Sequence, residues 1–256
     1  MLRIIDPRSN SVTGEVLAHE GVKGGRAIWL GEKEWIFSAG FGRQSERKIA
    51  IWDPKNLSKP LTEQTVDNAA GVIMPIYDNS SSIVFTAGRG DCSIRYYEIV
   101  NDSTIIYFLS SYSSTTPQQG VAAMPKVGVD VLNNEIMRLY KATPTTIEPV
   151  SFRVPRRSDS FQSDLFPDVP GTTPALTAKD WLSNKNSKPV LQSLAPSGDV
   201  QRQAAAPERE FTPVVKEPKV LSQAALEAQN RELTSRVSFL EAELVKKDAM
   251  IKQLKE

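Results

Sequence analysis

Ile49-Ala50-Ile51-Trp52-Asp53 is the run on which the fold turns: alternating apolar side chains that close on an acidic residue. The same pattern returns at Leu2–Asp6 (LRIID), Ile94–Glu98 (IRYYE) and Ile136–Tyr140 (IMRLY). Three runs close on Asp6, Asp53 and Glu98, and the fourth is followed at the matching place by Lys141, at spacings of 47, 45 and 43 residues. Ahead of the Trp52 run lie two more strand patterns, Arg26–Leu30 and Trp35–Phe41. Ahead of the Ile94 run lie Gly71–Tyr77 and Ser82–Ala87. β-Branched and aromatic residues fill these segments, and Gly, Asn, Asp and Ser separate them, as strands and turns require.

A period in the forties with several strands per unit is the signature of a WD-type β-propeller blade. Each four-stranded blade has two apolar faces that only neighbouring blades can cover. The Trp52-Asp53 pair sets a large aromatic near the outer part of one blade. Ala18-His19-Glu20 stands where such repeats carry a Gly-His pair. In the repeats it resembles, that His reaches a Ser on the second strand, here Ser38, and an Asp in a turn. The turn Asp is present in the next unit as Asp91, whereas the Trp52 unit reads Arg43-Gln44-Ser45-Glu46 at that place. His19 is read as a buried structural residue, and as the sole histidine it excludes a multi-histidine metal site.

Composition divides the chain into three parts: residues 1–157 as a partial propeller, 158–215 as an extension and linker rich in Pro and Ser, and 216–256 as a helix. The last part has no Gly and, after Pro218, no Pro. With 31 basic and 30 acidic residues the net charge is +1, which gives no reason to expect nucleic acid as a partner. A single cysteine, Cys92, rules out an internal disulfide framework and fits a reducing compartment. No apolar run is long enough to insert in a bilayer, so the reading is soluble and cytoplasmic.

Taken together, seven segments resemble the coronin family. They are RIIDP at Arg3–Pro7, AHEG at Ala18–Gly21, FGRQSERKIAIWDPKNL at Phe41–Leu57 and GRGDCSIRYYEI at Gly88–Ile99. They continue with MPKVGVDV at Met124–Val131, VPRRSDSFQSDLFPD at Val154–Asp168 and LTAKDWLSNKNSKPVLQSL at Leu176–Leu194. The resemblance implies a mainly β protein: about three and a half blades of a seven-bladed propeller, read as three complete units and one partial one. An extended segment packing back on the propeller and a C-terminal coiled coil would follow. It also implies a chain that starts on the third strand of a middle blade, as a fragment or an isoform would.

From Leu226 the apolar residues keep heptad spacing. Val237, Leu244 and Ile251 fall at a, with Asn230 as a polar a residue, and Leu226, Leu233, Leu240 and Leu254 fall at d. So narrow a stripe buries little alone and calls for partner copies. Arg236 at g and Glu241 at e fit the Arg–apolar–x–x–apolar–Glu motif of parallel trimers, where the arginine stem also covers the core. Asn230 favours dimers, and Lys247 at d loosens the C-terminal half, so dimer and tetramer stay open behind trimer. Lys246 and Lys247 are the candidate contacts to an acidic actin surface, against the plainer reading of a solvated helix face.

Two tempting motifs are discounted. Arg89-Gly90-Asp91 is read as a β-turn between strands, and Arg156-Arg157-Ser158-Asp159-Ser160 as a chance match to a basophilic kinase site. No phosphate loop, catalytic triad or paired catalytic carboxylates appear, so no enzyme activity and no cofactor are expected. The coronin resemblance implies filamentous actin and the actin-branching complex of actin-related proteins as partners, self-association as a trimer, and a place in the cortical actin cytoskeleton. The rival reading is a trimeric WD-repeat scaffold for signalling or membrane traffic without direct actin binding.

Overall fold

The computed structural model describes residues 1–157 and 160–196. Thirteen strands fall into four antiparallel sheets that follow one another along the chain. The first sheet pairs β1 (Leu2–Asp6) with β2 (Ser11–Val16). The second orders β3 (Arg26–Trp29), β4 (Ile36–Phe41), β5 (Arg47–Trp52) and β6 (Thr62–Asp67). The third repeats that plan with β7 (Ile73–Asp78), β8 (Ile83–Gly88), β9 (Ser93–Ile99) and β10 (Ile106–Ser113). The fourth has three strands, β11 (Gly120–Ala123), β12 (Glu135–Ala142) and β13 (Ile147–Arg153).

Two expectations are corrected here. Two sheets are complete four-stranded blades, not three. And Ile136–Tyr140, expected to match Ile49–Asp53 and Ile94–Glu98, lies in the second strand of its sheet, whereas the other two lie in third strands. The connection from β11 to β12 explains the shift, because it holds two 3₁₀ turns, Lys126–Gly128 and Val131–Asn133.

Side-chain alternation builds the layers. In β4, Ile36 points to the interface with the first sheet, while Phe37 and Ala39 point to the third. In β5, Ala50 and Trp52 face the first sheet while Ile49 and Ile51 face the third. In β8, Val84 meets the second sheet while Phe85 and Ala87 meet the fourth. Central strands are therefore apolar on both faces, and every residue of β4 is buried. Phe85, Tyr96 and Phe152 seal the junction of the third and fourth sheets, with ring centroids 4.7–5.8 Å apart.

After β13 the chain crosses the sheets as an extension. Phe161, Leu165, Phe166 and Leu194 join the core between the third and fourth sheets. A short pairing of β14 (Val169–Pro170) with β15 (Leu191–Gln192) brackets α1 (Ala178–Leu182), which Thr177 caps by accepting from the Asp180 backbone N–H. The extension reaches the first sheet through Arg8, in the β1–β2 turn. Its guanidinium lies 4.7 Å from the Trp181 ring and donates to the Lys185 carbonyl and Asn186 Oδ1, both at 2.9 Å. An Arg8→Ala chain is expected to lose this anchor at a cost of about 0.5–1 kcal/mol. Trypsin should then cut faster at Lys179 and Lys185 while global unfolding hardly moves.

Candidate functional site: inter-sheet hubs and the faces they hold

Of the residues singled out in the sequence, His19, Ser38 and Trp52 come together, while Asp53 and Asp91 lie apart in two turns. Ser38, on β4, is a buried hub. Trp52 Nε1 donates to its Oγ at 2.8 Å, and His19 Nε2 lies 2.9 Å from the same oxygen. Indole N–H is donor only, so the serine accepts there and keeps its second site for the imidazole. Burial holds the His19 pKa below its ordinary value and keeps the ring neutral. The ring rests on Gly40, where any side chain would collide with it. His19 Nδ1 is buried without a partner, and no turn Asp reaches it. In this sheet the turn carboxylate is Glu46, which accepts from the Gln44 N–H at 2.9 Å. A Ser38→Ala chain strands the buried indole N–H and should lose about 1–3 kcal/mol in urea unfolding. A smaller loss than Ser→Ala at an exposed strand site would contradict the hub.

Asp53 and Asp91 do separate jobs. Asp53 Oδ1 accepts from the Lys55 N–H at 2.8 Å and shapes the turn between β5 and β6. Asp91 closes the turn from β8 to β9: its N–H donates to the Gly88 carbonyl at 3.1 Å, and Gly90 takes the left-handed φ of 86°. Arg89-Gly90-Asp91 thus lies in a β-turn. The Asp91 carboxylate reaches across to the second sheet and pairs with Arg47 Nη2 at 2.8 Å.

Arg47 is the residue that sequence reasoning missed. Its side chain is only 1 % exposed. Nε and Nη2 grip both oxygens of Asp67 at 2.6 Å, and Nη1 donates to the Gly71 carbonyl at 3.2 Å. Arg95 adds a second contact to Asp67 at 2.8 Å. Burial opposes the arginine's charge, but the two carboxylates more than offset it and raise its pKa. The Arg47 hydrogen bonds, with help from the Ala69 N–H and the Arg95 charge, pull Asp67 down to about 2. One guanidinium therefore joins β5, β6 and the β8–β9 turn of the next sheet.

The next junction repeats the device with other residues. Lys141, fully buried, donates to Ser114 Oγ at 2.5 Å and the Thr116 carbonyl at 2.7 Å, with Glu148 Oε2 at 3.3 Å. Gln118 donates to the Gly88 and Ser93 carbonyls at 3.0 and 2.8 Å. On another side, Lys126 pairs with Asp78 at 2.7 Å. Buried cations thus tie the third sheet to both neighbours. Among the described residues no cluster of three His, Cys, Asp or Glu side chains is placed to hold a metal, and no helix is long and apolar enough to cross a membrane. Leu226, Asn230, Leu233, Arg236, Val237, Leu240, Glu241, Leu244, Ile251 and Leu254, with Lys246 and Lys247, lie outside the described residues.

Comparison with known proteins agrees with this geometry. A family model described as a type of WD40 repeat matches residues 147–189, which here are β13 and the extension. Coronin-A of Dictyostelium discoideum is 46 % identical over 255 residues, covering 98 % of this chain and 56 % of its own length. A coronin-like protein of Schizosaccharomyces pombe is 43 % identical over 196 residues, covering 76 % of this chain and 32 % of its own. The crystal structure of the WD40 domain of a Toxoplasma gondii coronin superposes with a TM-score of 0.72 at 32 % identity, over 76 % of this chain and 51 % of that one. The chain spans about half the length of the Dictyostelium relative and a third of the yeast one. In sequence over 98 % of its length, and in fold over 76 %, the chain is similar to coronins.

Proposed function

We propose that this chain is an actin-filament-binding cytoskeletal regulator that oligomerises and organises filament networks, with no catalytic step. One observation carries the reading: the coronin likeness runs past the sheets, through Val154–Leu194, into an extension seated on the sheets and tied to Arg8. The division is into sheets at 1–157, an extension and linker at 158–215, and an oligomerisation helix at 216–256. Residues Leu226 to Leu254 supply a parallel trimer, held in register by Arg236 and Glu241. Lys246 and Lys247 lie against actin, and the coiled coil engages the branching complex of actin-related proteins at the cytoplasmic cell cortex. Several weak sites on one trimer then act together. Low-speed sedimentation tests this: the chain should bundle filaments into the pellet, and filaments left in the supernatant at a saturating chain concentration would refute network organisation.

A further inference from the structure

A cavity of about 620 Å³ lies where the β7–β8 turn, the β11–β12 connection and the extension meet. It falls within the range of roughly 300–1,000 Å³ typical of ligand sites. Its charges do not balance. Glu32, Asp78 and Asp168 line it against the single cation Lys126. The Lys126 ammonium is already spent: it donates to Asp78 Oδ2 and to the Ile136 carbonyl, both at 2.7 Å, and lies 5.6 Å from the Phe166 ring centroid. Exposed Glu32 and Asp168 have no ion-pair partner among the described residues, so the cavity keeps two uncompensated carboxylates. Between them stand apolar walls, including Met124 and Val127, the latter 55 % exposed.

Two amides complete the lining. Asn79 accepts from the Glu32 N–H through Oδ1 at 3.3 Å, which leaves its NH₂ group to donate. The Gln192 side chain has no hydrogen-bond partner among the described residues. Amides beside an apolar wall suit a peptide backbone, and two uncompensated carboxylates suit Lys or Arg side chains. A small free cation would use the carboxylates and waste the walls. We infer that this cavity binds a basic, partly apolar peptide segment of another protein, with its cationic side chains at Glu32 and Asp168. None of its lining residues is among the proposed actin contacts.

The test uses the 256-residue chain and a fluorescein-labelled acetyl-Leu-Lys-Pro-Arg-Leu-amide, read by fluorescence anisotropy in low salt. Saturation with a Kd of about 10–100 μM is expected, as is usual for a short peptide in a half-polar cleft. The E32K/D168K chain should bind at least about tenfold more weakly, because both anchoring charges are reversed. Val127→Trp, which fills the cavity without altering its charge, should weaken binding similarly. Both changes sit at exposed positions, so an unchanged thermal unfolding curve shows that the fold survives. The inference is overturned if the peptide fails to saturate below about 1 mM. It is equally overturned if a peptide with Glu for Lys and Arg binds as well, if E32K/D168K binds undiminished, or if spermine displaces the peptide at equal concentration.

Discussion

In urea, the Arg47→Met chain is expected to unfold with about 3–5 kcal/mol less stability than the native chain, at an unchanged m value. The loss comes from what the substitution leaves behind. Asp67 and Asp91 remain close together on adjacent sheets, and among the described residues the one other cation paired with either is Arg95, on Asp67 alone. Removing one partner of a buried pair costs more than the pair is worth, since a partly buried charge is left without compensation. Met fills much of the same volume, so the electrostatic cost is separated from a cavity. Gly88 sharpens the test, because a side chain there would strike both Asp91 and Arg47, so the packing has no slack to rearrange. The acid range supplies a second readout. The Asp67 pKa of about 2 lies below the ordinary carboxylate value of about 3.9. Its contribution is therefore complete above the ordinary value and disappears as pH falls through the folded one. The native chain should lose stability between about pH 5 and pH 2, and Arg47→Met should flatten that slope. A loss under about 1 kcal/mol with the slope intact would remove Arg47 from its role.

Removing residues 216–256 is expected to weaken filament binding by about 10²–10⁴-fold without disturbing the sheets. The loss is one of effective concentration. Once one site of a trimer is engaged, the others are held near the filament, and the second event becomes intramolecular. Arg236→Ala should give an intermediate result, since in the proposed trimer it would remove the pair with Glu241, worth about 0.2–1 kcal/mol, together with the shielding stem. Sedimentation equilibrium on the native and Arg236→Ala chains separates the two links. A trimer that loosens in the variant, with affinity falling in step, supports the multivalent account. A monomeric native chain at tens of micromolar would remove its basis.

Strand positions were legible because the sheets obey a local rule: a strand buried on both faces must be apolar at successive residues. The same rule caused the misplacement of Ile136–Tyr140. Second and third strands of a blade are both central, so a short apolar run does not say which it is. Only the longer connection before β12 does, and connection length is set by tertiary packing. Ser38 and His19 were legible because repeats of this type place them at fixed positions. Arg47 was not, since in sequence it is one more charge beside Lys48, and its partners come from a later strand and from the next sheet. The Arg8 anchor joins residues 177 and 178 positions apart, a separation no local pattern encodes.

The most direct test of the central claim is high-speed co-sedimentation of the 256-residue chain with filamentous actin at physiological salt. The account predicts that the chain pellets with filaments, saturates, and stays in the supernatant when filaments are absent. A chain that remains in the supernatant at tens of micromolar filaments, while folded and trimeric, would contradict actin binding and leave an oligomeric WD-repeat scaffold in its place.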